Sequence, residues 1–226
     1  MGSAHAVVMG VASVATRLGN SALVAVTPMA TPPHASPDYA LFRLINSMAG
    51  HNAALDGIMV GFAKYSPEFF AIVLLVLWLT WKPANQRGAF LAGSAGLVAL
   101  GIGQLIGMLF PRPRPYLVHK VTLLITHAAD TSFPSDHATL GFAIAAMLYQ
   151  FNRGAATLVL LTAIGMAFAR VFVGAHYPTD VLGGAVLGTV TSITLGSLTN
   201  RAPFSSWLDK LMKTMARWHF AARPVG

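Results

Sequence analysis

The chain has 226 residues, of which only 22 are Asp, Glu, Lys or Arg, while 55% are hydrophobic and 21 are glycine. A water-soluble domain carries about 25% charged residues, so the composition excludes one and makes the bilayer the solvent to assume. Cysteine is absent, which excludes a disulfide scaffold and any cysteine-based zinc or redox centre, and the net charge of +8 does not indicate nucleic acid, because a mostly apolar chain has no wet face on which to cluster Lys and Arg.

In chain order, residues 1–36 form an N-terminal extension. Residues 4–30 are apolar apart from Arg17 and Asn20, and Pro32-Pro33-His34-Ala35-Ser36-Pro37 reads as a linker. An extra span, a cleaved leader and a disordered extension are the three readings of this part. Residues 44–64 mix Asn46, His51, Asn52 and Asp56 with apolar side chains, as a further span or an interfacial helix leading into one would. Residues 69–81 reach spanning length once Ser66, Pro67 and Glu68 form their first turn, with Trp78 and Trp81 near the far headgroups. Residues 88–111 and 181–200 carry no charge at all. Residues 137–152 and 154–169 are two further uncharged runs, joined by Asn152-Arg153-Gly154, and read as a transmembrane hairpin.

Alternating these five clear spans gathers Lys82, Arg87, Arg153, Arg201, Lys210, Lys213, Arg217 and Arg223 on one side, which is the cytoplasm by the excess of basic residues. Residues 201–226 repeat Phe204, Trp207, Leu208, Leu211, Met215 and Trp218 at three- and four-residue spacing, as an amphipathic helix on the cytoplasmic surface does. Residues 37–200 are the membrane domain proper.

Three clusters lie at the other membrane face: Pro111-Arg112-Pro113-Arg114-Pro115, Pro134-Ser135-Asp136-His137, and the corner from Arg170 to Asp180. Arginine is suited to bidentate grip on phosphate oxygens, and Arg114 and Arg170 bring two such forks to one place near hydrocarbon, which calls for an anionic partner. Ser135, Asp136 and His137 open a helix whose unpaired N–H groups face an anion, with the Ser135 hydroxyl as a further donor. His176 and Asp180 are four residues apart, so the carboxylate can accept from one imidazole nitrogen and leave the other as nucleophile, with His137 from another helix as general acid. Each cluster alone has an ordinary structural explanation in snorkelling or helix capping. Two His and an Asp also resemble a zinc set, but Arg114 and Arg170 beside them repel a divalent cation and attract an anion, so no metal is assigned.

These residues resemble the signature of the type 2 phosphatidic acid phosphatase superfamily: Lys, six residues, Arg-Pro; then Pro-Ser-Gly-His; then Ser-Arg, five residues, His, three residues, Asp. Arg114-Pro115 matches the end of the first part, Pro134-Ser135-Asp136-His137 the second, and Arg170, His176 and Asp180 the third. The motif lysine is missing, since Gly107 stands seven residues before Arg114, and Gln104 is the nearest polar side chain. Asp136 in place of Gly, Ile45-Asn46 early in the chain, and the late run from Ala175 to Gly184 are similar to the bacitracin-resistance branch, the undecaprenyl pyrophosphate phosphatases.

The resemblance implies an all-α polytopic bundle of about six transmembrane helices in the bacterial inner membrane, with its active site facing the periplasm or exterior. It implies His176 as the nucleophile that forms a phosphohistidine, Asp180 as its orienting partner and His137 as general acid. Arg114, Arg170, Ser135 and Asp136 are the phosphate-side residues, and Arg112 and Gln104 are accessory contacts. No cofactor is implied. The partners are an isoprenoid lipid pyrophosphate and the bilayer, not nucleic acid. The expected reaction is hydrolysis of undecaprenyl pyrophosphate to the monophosphate, and the alternatives are phosphatase action on phosphatidylglycerophosphate, phosphatidic acid or lipid A, anion transport, and haloperoxidase-like chemistry.

Overall fold

The computed structural model describes residues 36–126, 130–199, 201, 206, 207, 210 and 214. The expectations for the 1–36 extension and for most of the 201–226 tail therefore lie outside the described residues, as does His127. Among the described residues the regular elements are all helices: α1 (Pro37–Asn46), α2 (Ala53–Leu79), α3 (Pro83–Leu109), α4 (Pro115–Val118), α5 (Asp136–Leu148), α6 (Arg153–Phe172) and α7 (Pro178–Thr199). Their starts follow from local chemistry. Proline at a first helical position opens α1, α3 and α4, and side-chain oxygens of Ser36, Asn52 and Asn152 accept from backbone N–H groups at the starts of α1, α2 and α6.

Four of these helices, α2, α3, α6 and α7, are long and apolar enough to cross a membrane. The 13 residues of α5 extend about 20 Å, short of the ~30 Å hydrocarbon layer. Residues 44–64 do not form a span of their own. Phe42 to Asn46 close α1, and residues 53–64 are the first part of α2, which runs through Pro67 without interruption. Proline at position 67 has no N–H to give the carbonyl four residues earlier. That carbonyl, on Ala63, instead accepts from the Arg170 guanidinium at 3.4 Å, so the sequence feature that should break the helix becomes a tether for a charged side chain.

The bundle is assembled around α5, which packs against α2, α3, α6 and α7. Its closest neighbour is α7, and the approach is set by glycine. A Cβ on Gly184 would lie 2.5 Å from the Ser135 carbonyl oxygen, and one on Gly188 would lie 2.8 Å from the Ala143 nitrogen. Two glycines four residues apart let helix backbones touch, as membrane helices require when burying apolar surface yields nothing. The Ser192 hydroxyl, fully buried one turn further on, donates to the Ala143 carbonyl at 2.7 Å and adds a polar clamp. On the opposite side of α7, Leu182, Val186, Val190 and Ile193 point outward and are more than half exposed, as lipid-facing side chains are. Phe70, Met147, Leu148, Val159 and Met166 fill the space between α2, α5 and α6.

At the end of the bundle that carries the three motif clusters, Asn46 ties the irregular segments together. Its amide donates to the carbonyls of Thr122 and Phe172, both at 2.8 Å, and its oxygen accepts from the Thr122 N–H at 3.0 Å. The chain then turns at Gly174 with φ +85°, where a side chain would collide with the Thr122 carbonyl.

Placing a branched side chain at the α5–α7 contact should separate the helices. Gly188→Val is expected to lower stability by about 3 kcal/mol or more, read as a reduced unfolding temperature in detergent, whereas Gly101→Val, at a position with open space around it, is expected to leave that temperature unchanged.

Candidate active site

The loop after α3, the first turn of α5 and the α6–α7 corner meet at one end of the bundle, and His176 is at their centre. It is 1% exposed. Its Nδ1 lies 2.9 Å from the Ser132 carbonyl oxygen. A carbonyl can only accept, so Nδ1 carries the proton and the lone pair of the neutral ring is on Nε2. Two guanidinium groups point at that lone pair: Arg114 Nη1 at 2.8 Å and Arg170 Nη2 at 3.1 Å. The two arginines are 4% and 2% exposed, an arrangement whose desolvation cost and mutual repulsion an anion would relieve.

Each arginine is aimed by a different device. Arg114, immediately before α4, gives its Nε to Asp130 at 2.6 Å and its Nη1 also to the Ala175 carbonyl at 3.1 Å. Arg170, in the last turn of α6, is held by the Ala63 carbonyl that Pro67 leaves without a helical donor. Arg170 Nε and the buried Ser135 hydroxyl have no hydrogen-bond partner among the described residues. Ser135 precedes the first helical residue of α5, where helix N–H groups also lack intrahelical partners. These donors at one place suit the several oxygens of a phosphoryl group.

Asp180 is positioned differently from the sequence expectation. Its Oδ2 is 3.8 Å from His176 Nδ1, too far for a hydrogen bond. Oδ2 accepts instead from the Ser132 hydroxyl at 2.5 Å and from the Tyr177 N–H at 2.8 Å, while Oδ1 accepts from Arg112 at 2.7 Å. The carboxylate thus fixes Ser132, whose carbonyl orients the imidazole: the orienting effect passes through one intervening residue. The reason is geometric. The first turn of α7 directs Asp180 back at the Tyr177 backbone, as a side chain capping its own helix does. Ser132 was not singled out from the sequence, and its signal is the polar run Asp130-Thr131-Ser132 just before the Pro-Ser-Asp-His motif.

Arg112 and Gln104, expected as accessory phosphate contacts, are engaged elsewhere. Arg112 donates to Asp38 at 2.6 Å and to Asp180 and Thr179 at 2.7 Å, and its guanidinium lies 4.0 Å over the Tyr177 ring. Burial works against its charge, but Asp180 and Asp38 outweigh that and hold its pKa above the ordinary arginine value. Burial likewise pushes the Tyr177 phenol up to about 12, opposed by Arg112, so it stays neutral. Asp38 also accepts from the Thr179 N–H and hydroxyl, which latches α1 to the start of α7. Gln104 donates to both carboxylate oxygens of Asp136, at 3.0 and 2.9 Å. A lysine at Gly107 would have to displace its neighbours, since a Cβ there would lie 2.7 Å from the Thr131 methyl and 3.3 Å from the Phe133 carbonyl. His137, in the first turn of α5, lines a cavity of about 440 Å³ together with Arg170.

This helical bundle with three converging motif clusters has counterparts among known proteins. The PAP2 superfamily model matches residues 88–203, and the chain belongs to that superfamily. It is 39% identical over 154 residues to the undecaprenyl-diphosphatase BcrC of Bacillus subtilis (strain 168), covering 68% of this chain and 79% of the relative. It is 34% identical over 153 residues to the bacitracin transport permease protein BcrC of Bacillus licheniformis, covering 67% and 75%. Among solved structures, Aquifex aeolicus LpxE superposes with a TM-score of 0.58 at 26% identity, covering 70% of this chain and 93% of that one. The chain is accordingly a multi-pass membrane protein.

Removing the Ser132 hydroxyl leaves its carbonyl in place but frees it from Asp180. Ser132→Ala is expected to lower kcat by ~10-fold, the loss of one hydrogen bond to a charged group, with KM nearly unchanged. Steady-state kinetics on a lipid phosphate substrate check this, and an unaltered kcat would remove Ser132 from the orienting chain.

Proposed function

We propose that the protein hydrolyses undecaprenyl pyrophosphate to undecaprenyl phosphate and inorganic phosphate through a phosphohistidine on His176, without a metal ion. The observation that carries this reading is the imidazole itself: a neutral ring with its proton held on Nδ1 and its Nε2 lone pair presented to two buried guanidinium groups. The relatives' names supply the substrate, and the amphiphilic surroundings of the site suit a lipid whose head is anionic.

In the proposed reaction the terminal phosphoryl group enters between Nε2 and the arginines. Arg114 and Arg170 turn their N–H groups from the imidazole to the phosphoryl oxygens, with the Ser135 hydroxyl and the α5 N-terminus as further donors. Nε2 then attacks phosphorus in line, the bond to the bridging oxygen breaks, and His137 gives that oxygen a proton. Water next attacks the phosphohistidine, releasing phosphate and restoring the ring. The fixed donors stabilise the charge that develops on the phosphoryl oxygens, the task divalent cations perform in other phosphoryl-transfer enzymes. Asp136, whose two oxygens are occupied by Gln104, supports the first turn of α5 that carries His137.

The proposed topology has five crossings: α2, α3, α6 and α7, and the stretch around α5, where the segments on either side of the 13-residue helix complete the passage. Lys82, Arg87, Arg153 and Arg201 flank the helix ends opposite the site, so the site belongs on the extracytoplasmic face of the bacterial inner membrane. A sixth crossing would have to come from outside the described residues. There the enzyme would regenerate the lipid carrier of cell-wall synthesis and so oppose bacitracin. The name of the Bacillus licheniformis relative favours a second reading, transport. A transporter's charged groups lie near the middle of the bilayer, whereas these cluster at helix ends on one side.

The test is phosphate release from undecaprenyl pyrophosphate by purified protein in excess EDTA, beside His176→Ala. Release by the wild type and a loss of at least ~10³-fold in the variant are expected, as for removal of a nucleophile. Equal rates in the two proteins would refute the mechanism, and substrate flux without phosphate release would favour transport.

A further inference from the structure

The cavity lined by His137 and Arg170 is also lined by a cationic side chain that the mechanism above does not use. Lys64 of α2 lines it with them, and so do Leu124, Ile125 and Thr126, which follow the loop from α4. No acidic residue lines this cavity among the described residues. Lys64 directly follows Ala63, whose carbonyl holds Arg170, so the helix that aims one phosphate-binding cation also carries another at the same level. A lysine stem leans toward the N-terminus of its helix, here toward the end of α2 on the site's side of the bundle. The Lys64 ammonium lies 5.6 Å from the centre of the Tyr65 ring, a loose cation–π approach that an entering anion can replace at little cost.

Position within the cavity identifies what Lys64 would meet. Arg170 lines this cavity and also reaches His176 Nε2 at 3.1 Å, while His176 itself does not line it; in an in-line displacement the leaving group departs on the side opposite the nucleophile. His137, the proton donor to the leaving oxygen, faces the same cavity as Lys64. The leaving group therefore occupies the space that Lys64 lines, with Leu124 and Ile125 as an apolar wall for the chain attached to it. When a lipid pyrophosphate reacts, the leaving group is a lipid monophosphate bearing negative charge. When a lipid monophosphate reacts, it is an alcohol.

We infer that Lys64 binds the lipid-proximal phosphate of a pyrophosphate substrate and is a specificity determinant favouring diphosphate over monophosphate lipids. The inference rests on the phosphohistidine reading above. As the His176 Nε2–phosphorus bond forms and the bridging oxygen takes the electron pair and the His137 proton, Lys64 neutralises the remaining charge on the departing phosphate.

Rates of phosphate release from a polyprenyl pyrophosphate and from the monophosphate of the same chain length, in the same micelles, test this. The proteins compared are the wild type, Lys64→Gln and Lys64→Arg. Lys64→Gln is expected to lose ~10–100-fold in kcat/KM on the pyrophosphate, the size of one charge-assisted contact, and no more than ~3-fold on the monophosphate, with Lys64→Arg close to wild type. Binding gives a second readout independent of turnover. Inorganic pyrophosphate should raise the unfolding temperature of the wild type more than that of Lys64→Gln, while orthophosphate should stabilise both equally. Equal losses on both lipids, or no loss on the pyrophosphate, would overturn the inference. A wild type that released no phosphate from the pyrophosphate would instead refute the reading on which it rests.

Discussion

Two buried guanidinium groups converging on one imidazole nitrogen are the constraint from which the rest of this structure can be read. Taking Arg114 and Arg170 out of water and placing them side by side is unfavourable unless other groups hold them there. Asp130 and the Ala175 carbonyl hold one, and the Ala63 carbonyl holds the other. The Ala63 acceptor exists because Pro67 cannot donate to it, so a proline in α2 serves an arginine in α6, four elements further along the chain. With the arginines fixed, the neutral imidazole is the group they can share while no substrate is bound, and an anion is what they are arranged to receive.

The bundle supplies the rigidity this arrangement needs. Gly184 and Gly188 bring α7 into backbone contact with α5 and thereby seat the Ser135 turn against the start of α7, where Ser135 N–H donates to the Asp180 carbonyl at 3.0 Å. The same corner carries His176 and Asp180, so helix packing and imidazole orientation are one problem with one solution. Asp38 and Asn46 extend that order outward. They attach α1 to the α7 start and to the 122 loop, and Arg112 closes the link between Asp38 and Asp180. The carboxylate of Asp180 is thereby the meeting point of three segments far apart in sequence.

Much of this was legible in the chain itself, for physical reasons. Long uncharged runs announce helices in hydrocarbon, and three polar clusters at the ends of such runs fall on one membrane face, which places His176, Arg114 and Arg170 near one another. Side-chain direction was not legible. Spacing alone suggested that Asp180 reaches the imidazole, whereas the first turn of α7 sends it to Ser132 and the Tyr177 N–H. Arg112 and Gln104 lay at plausible distances from the site in sequence, but their acid partners Asp38 and Asp136 come from elsewhere in the chain, and such pairing cannot be read from one segment. For residues 44–64 the sequence leaves two readings open, because their polar content interrupts an apolar run, and only the separate span fails. Asn46, one of those polar residues, closes α1 with all its amide hydrogen bonds made, and Asp56 accepts from the Gly50 N–H at the turn before α2.

In the proposed reaction Nε2 of His176 is the atom that accepts the phosphoryl group. The most direct measurement is a rapid alkaline quench of the enzyme turning over a lipid pyrophosphate labelled at its terminal phosphorus, followed by peptide mapping of the protein-bound label. Label is expected on the peptide containing His176, attached through nitrogen and lost in acid. Label on His137, or turnover with no protein-bound phosphate at any time point, would contradict it.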